Sequence, residues 1–171
     1  MNLLPRFLLC LCIGALPLTA AANPAYNGQW KLDTTQSTSL DPWSDLTMDI
    51  SVTDDRLAVV RHYSAGTRVA QETLDLANQP KAQTATVEGW WDNRHIDAWL
   101  AHDNRIEVTP EWLNAGHSLR LSINMVLETQ QGEIPVKVTR TLQVSDDGQT
   151  LREVQHRSSR KRPVVHVYQK I

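Results

Sequence analysis

Gly28-Gln29-Trp30-Lys31-Leu32-Asp33 is the stretch on which the fold turns. Trp30 and Leu32 lie two apart, so they share one face of an extended strand, with Gln29 and Lys31 on the other. Gly28 lets the backbone enter at a tight bend with no Cβ in the way. A Trp on the inner face of an opening strand can plug one end of a barrel and give later strands a surface to pack on.

What precedes this strand reads as a removable leader. Arg6 is followed by an apolar run over 7–16, and Ala20-Ala21-Ala22 supplies an Ala-x-Ala cleavage site. The run is too short to span a bilayer. The expectation is a cleaved signal peptide over 1–22 and one mature domain over 23–171, exported to a periplasmic or extracellular space. Cys10 and Cys12 both fall inside the leader. The mature chain therefore has no disulfide, no thiol nucleophile and no cysteine at the cleavage point to carry a lipid, so no stable membrane anchor is expected. It must build its own core, and about 149 residues suffice for that. Sixteen basic residues then stand against nineteen acidic ones. A balance this mild gives no reason to expect a nucleic-acid partner.

Beyond Asp33 the chain shows short alternating runs broken by turn residues, with no heptads and no long period-3.6 segment. Leu46, Met48, Ile50 and Val52 alternate with Thr47, Asp49 and Ser51 as a half-buried strand. Strands are predicted over 56–63, 67–76, 83–91, 94–101, 106–113, 118–129, 134–144, 150–158 and 164–170. Asp92-Asn93 reads as a two-residue turn that makes 83–91 and 94–101 a hairpin. Asp54-Asp55, 102–105, Asn114-Ala115-Gly116, Gln131-Gly132 and Asp146-Asp147-Gly148 supply further turns. In the strand at 118–129, Leu119, Leu121, Ile123, Met125 and Leu127 fall on one face. Strands joined in sequence by short loops are antiparallel neighbours, and a long meander with no covering helix removes its edges by closing. The expected fold is all-β: a single antiparallel up-and-down barrel of about 8–10 strands, wide enough for side chains or one small ligand.

The opening stretch with Ser37 resembles the "GxWxL(N/D)…S" opening of small exported bacterial lipocalin-like proteins. The run 140–151 resembles their penultimate hairpin, and Val167-Tyr168-Gln169-Lys170 their closing strand. The likeness covers both ends of the mature chain and little of its middle. It implies a calycin-type barrel that binds a small, often apolar ligand, and a basic residue of a late strand packed over the opening Trp. Arg140 is the candidate for that place, with Arg152 second. The structural motif is then Gly28, Trp30 and Arg140.

The residues offer no catalytic constellation and no cofactor fingerprint. Trp90 and Trp91 are adjacent on a strand, so one faces in and one out, with Arg94 and His95 across the turn. Trp99 and Trp112 read as packing residues. His156 and His166 fall opposite each other if the loop between them is centred on Lys161, but no third ligand accompanies them, so no metal is expected. Arg157, Arg160, Lys161 and Arg162 read as a solvated basic loop. The expected ligand-binding set is Trp90, Trp91, His95, Leu121, Ile123 and Met125, around a small apolar or amphipathic molecule. Two other functions compete with this binding module. One is an envelope interaction protein with a filled barrel; the other is a barrel isomerase or lyase.

Overall fold

The alternation in β2 (Asp45–Val52) is complete: Leu46, Met48, Ile50 and Val52 are buried, and the residues between them face outward. The computed structural model describes residues 22–39, 43–87 and 98–171. The same alternation recurs over most of β1 (Gly28–Leu32), β3 (Arg56–Ala65), β4 (Arg68–Ala77), β7 (Arg105–Leu113), β8 (Ser118–Thr129) and β10 (Thr150–Arg157) and over 136–144 of β9 (Gly132–Val144), while in β11 (Val164–Lys170) Val164 and Tyr168 are buried. Two short strands, β5 (Gln83–Thr86) and β6 (Trp99–Leu100), complete the set.

All pairings are antiparallel in one sheet of order β4-β3-β2-β1-β11-β10-β9-β8-β7-β5, with β6 added on β8. The first strand pairs with the last, Trp30 opposite Lys170. The fold is thus the expected single up-and-down barrel, nearly closed, with ten strands in its wall. The seam lies between β4 and β5. There the Gln83 side-chain amide stands in for a ladder rung, accepting from Ala77 N at 2.7 Å and donating to Ala77 O at 2.8 Å.

Antiparallel order sorts the connections onto two ends. At the first end, a 3₁₀ turn at Pro24–Tyr26 folds under the barrel. The Tyr26 ring stands edge-on to Trp112 at 5.1 Å, and its hydroxyl lies 2.9 Å from Leu142 O. Trp30 is fully buried, donates from Nε1 to Tyr26 O at 2.9 Å, and lies under the Lys170 ammonium, 5.0 Å from the ring centroid. Trp112 donates to Asn78 Oδ1 at 2.7 Å. This Tyr26 end is sealed by aromatics and their hydrogen bonds. Gly28 has φ 130°, and a Cβ there would come within 2.9 Å of Lys170 Cε, so glycine gives the lysine stem its path. At the opposite end lie the β3–β4, β8–β9 and β10–β11 connections. This is the Lys161 end.

Two expected pairings differ. Thr84 faces Glu107 of β7 rather than Ala101, and Trp99 faces Glu128 of β8. The predicted hairpin between 83–91 and 94–101 is therefore not formed by the described residues; its turn, Asp92-Asn93, lies outside them. β6 and β7 lie end to end along β8, separated by His102, Asp103 and Asn104, all with φ between 56° and 59°. The observed register sets Ala85 beside Ile106 and Gln83 beside Val108, which brings the buried face of β7 into the wall. His156 and His166 are also not opposite each other. Gln155 pairs with Val164, so His166 faces Glu153 while His156 faces Thr139. The change from an even to an odd register puts the two imidazoles on opposite faces.

Trp30→Ala removes the buried floor of this end and should cost about 3–5 kcal/mol, the range for truncating a core Trp. Chemical denaturation followed by circular dichroism measures it. A loss within about half a kcal/mol, as at a surface position, would contradict the sealing role.

Candidate functional site

Five strands each interrupt their inward apolar run with a polar residue. In β3 the inward series is Leu57, Val59, Arg61; in β4 it is Leu76, Leu74, Glu72. In β9, Arg140 follows Val136 and Val138; in β10, Glu153 and Gln155 follow Leu151. β11 adds Tyr168. Arg61, Glu72, Arg140 and Glu153 are all at most 2% exposed.

Burying such charges is costly unless each is paired and hydrogen-bonded, and here they pair across the interior. Arg61 donates to its hairpin neighbour Glu72 at 3.0 Å and to Glu153 of β10 at 3.1 Å. Arg140 donates two bonds to Glu72, from Nη1 to Oε1 and from Nη2 to Oε2 at 3.0 Å. Its Nε reaches Gln155 Oε1 at 3.2 Å. Tyr168 donates to Glu153 Oε2 at 2.9 Å, and His166 Nδ1 lies 4.0 Å from the same oxygen. Neither β3 and β10 nor β4 and β9 are neighbours in the wall, so these contacts run through the interior from one side to the other.

The charge states follow from this geometry. Burial alone would raise the Glu153 carboxyl, but Arg61, Arg140 and His166 together hold it below the ordinary carboxylate value. Burial works against the Arg61 and Arg140 charges too, but the two glutamates keep both guanidiniums charged and raise their pKa values. The Tyr63 and Tyr168 hydroxyls are pushed up by burial first, then by the glutamates nearby. Tyr26, at the sealed end, is pushed up to about 12 by burial.

The expected site residues distribute around this layer. Leu121 is buried and pairs with Arg140, at the charged level itself. Ile123 and Met125 occupy the next two inward positions of β8 toward the Lys161 end, paired with Val138 and Val136. Trp90, Trp91 and His95 lie outside the described residues. Arg140 has a different place from the one expected: its guanidinium joins the charged layer, and the cation over Trp30 is Lys170. The alternative, Arg152, is exposed on the outer face. Ser37 of the opening motif accepts from Val167 N at 2.9 Å and ties the loop after β1 to β11. The sequence reading missed Arg61, Glu72 and Glu153. Their signal is a charged residue in phase with an apolar alternation.

On the flank of the Lys161 end, a cleft of about 540 Å³ opens over β2, β3 and β4, lined by Asp45, Thr47, His62, Tyr63, Val69 and Gln71 among others. Tyr63 links it to the interior, since the charges of Glu72, Arg61 and Arg140 act on its hydroxyl. Trp43 stacks obliquely on Tyr63 at 5.8 Å. Among the described residues, no three His, Asp or Glu side chains come together as a metal site. The fold and interior define a class: a near-closed antiparallel barrel, sealed at one end and crossed by buried ion pairs. No family model and no curated protein matches the chain.

Glu72→Gln leaves two buried guanidiniums short of a carboxylate and should destabilise by about 3–5 kcal/mol, the usual cost of breaking a buried pair. Equilibrium urea unfolding measures the difference. The pH dependence has a definite sign at both extremes. Glu153 is depressed in the folded state, so its stabilisation is present above the ordinary carboxylate value and is lost as pH falls through the depressed one. The three tyrosines are raised, so above about pH 10 the unfolded chain sheds protons that the native barrel keeps, and stability falls by about 1.4 kcal/mol per pH unit for each. Tyr168→Phe should flatten that alkaline slope by about one proton. An unchanged slope would mean that the Tyr168 hydroxyl ionises freely.

Proposed function

We propose that this is an exported, lipocalin-like barrel that binds a small amphipathic molecule through its Lys161 end. The observation that carries the proposal is the asymmetry of the interior. The Tyr26 end is closed by Tyr26, Trp30 and Trp112, and the charged layer crosses the middle. Approach from the opposite end meets mainly apolar inward positions first, Met125 and Ile123 on β8 and Leu46 on β2, joined by Arg157 of β10 at the level of Ile123, and then the guanidiniums of Arg61 and Arg140 with the Tyr63 hydroxyl. An apolar tail suits the first surface and a polar or anionic head the second. Met125 adds an adaptable contact.

Export belongs to the same proposal. It rests on Arg6, the apolar run at 7–16 and the Ala-x-Ala site. Asn23 itself is tied to the barrel: it accepts from Ala25 N at 3.0 Å and donates to Gly116 O at 3.2 Å. Intact mass of the exported protein should place its N-terminus at Asn23; a mass retaining 8–16 would count against the leader.

A second reading is favoured by one feature. Ion pairs that join opposite walls also suit a filled barrel that works only through its surface. Titration of delipidated protein with a long-chain fatty acid separates the two. Binding should change Trp fluorescence, and Met125→Trp, which fills space on the β8 face, should weaken it more than tenfold while the fold persists by circular dichroism. Folded protein that binds neither fatty acid nor an environment-sensitive apolar dye would favour the filled barrel.

A further inference from the structure

The two ends of the barrel carry opposite surfaces. The Tyr26 end holds the Asp54-Asp55 and Asp146-Asp147 turns, with all four carboxylates in exposed residues. At the Lys161 end, the connection between β10 and β11 carries Arg160, Lys161 and Arg162; Lys161 and Arg162 are exposed and Arg160 is half-buried. Among the described residues, three of the four exposed large apolar side chains follow the same division; the fourth, the terminal Ile171, lies at the Tyr26 end beside Gln29. Val69, Trp99 and Ile134 are 78%, 58% and 42% exposed. Val69 stands beside the β3–β4 turn, Trp99 pairs with Glu128 near the end of β8, and Ile134 lies two residues past the β8–β9 turn. All three are at the Lys161 end. Ile134 is in phase with inward-facing Val136 and Val138, so it stands on the inner lip of the mouth. Trp99, expected as a packing residue, is instead more than half in solvent.

We propose that the Lys161 end docks on an anionic phospholipid surface. The pattern is the one such a surface recognises: a Trp at headgroup depth, aliphatic side chains beside it, and a short basic loop within reach of lipid phosphates. Charge complementarity selects this occupant over a neutral bilayer. It also sets the orientation, because the Asp54-Asp55 and Asp146-Asp147 turns are repelled from the same surface. Among the described residues, acids near the docking end include Glu128, Glu133, Asp45 and Asp33 on the hairpins on either side of the basic loop; Glu133 faces His102 at 3.6 Å, Asp45 faces Lys31 at 3.8 Å, and Asp33 accepts from Thr35 and Gln36. The proposal does not depend on an internal ligand. With one, it presents the mouth of the barrel to the source of amphiphiles.

Vesicle co-sedimentation tests it, with phosphatidylcholine vesicles compared against vesicles containing phosphatidylglycerol. All variants share one N-terminus, so any contribution from 1–22 is common to them. The protein should partition onto the anionic vesicles, and binding should fall as salt rises. Reversing Arg160, Lys161 and Arg162 to Glu should weaken it more than tenfold. Asp54→Lys with Asp146→Lys, at the far end, should not. Brominated acyl chains should quench Trp99, and Trp99→Phe should remove that quenching. Equal partition onto both vesicle types, no partition onto either, or indifference to the charge reversal would overturn the proposal. Fatty-acid binding is measured in lipid-free solution, so either reading can fail while the other stands.

Discussion

The two contacts that join non-neighbouring strands, Arg61 to Glu153 and Arg140 to Glu72, are the constraint around which the barrel is arranged. Each member is desolvated and is tolerable because it is paired, across the interior in these two contacts and along the wall where Arg61 meets Glu72 and Tyr168 meets Glu153. The distance between walls is therefore set at mid-height by the length of an arginine and a glutamate. Apolar side chains that merely fill space tolerate repacking; a bidentate guanidinium–carboxylate contact does not. Tyr168 and Gln155 satisfy further acceptor and donor positions of the same groups, which extends the layer to β11 and down β10.

That layer separates two environments. Toward Tyr26 the interior is an aromatic and aliphatic core with its polar atoms committed: Trp30 to Tyr26, Trp112 to Asn78, and Lys170 over the indole of Trp30. Toward Lys161 the inward positions of β8 and β9 are apolar and Arg157 of β10 is buried beside them, while the β10–β11 loop is basic and Trp99 and Ile134 are exposed. Closure of the wall itself is uneven. Backbone ladders hold every neighbouring pair along the path from β4 to β5, and between those two strands the Gln83 amide caps Ala77.

The strands were legible where alternation is uninterrupted. β2 and β8 follow directly from Leu46-to-Val52 and Leu119-to-Leu127, and the turns at His102 to Asn104 and around Asn114 and Gly116 follow from residues that tolerate positive φ, with Ala115 carried into the same region between the latter two. Leu121, Ile123 and Met125 were correctly placed on the inner face by the same alternation. Register was not legible for β5, because two stretches rich in Asp and Asn, at 92–93 and 102–104, offered competing turns and local chemistry does not choose between them. The charged layer was hidden for a related reason. One Arg or Glu within an apolar run reads as a break in the pattern, and only three-dimensional pairing shows Arg61, Glu72 and Glu153 to be partners. Arg140 was singled out for the wrong neighbour: the cation beside Trp30 comes from the strand hydrogen-bonded to it, where Lys170 is its direct opposite.

The pairing of β1 with β11 has a further consequence, in time rather than in space. Trp30 and Lys170 are partners at the two ends of the barrel's sequence, so the barrel has a high contact order and must close its longest loop before its core is complete. β2 to β4 and β7 to β10 can form as local hairpins while the chain is still being made. The opening strand must wait for the final seven residues of β11, and Ile171 then donates to Gln29 O at 3.0 Å as the ring shuts. A chain delivered from its N-terminus forward thus keeps Trp30 exposed on one side until its last residues arrive.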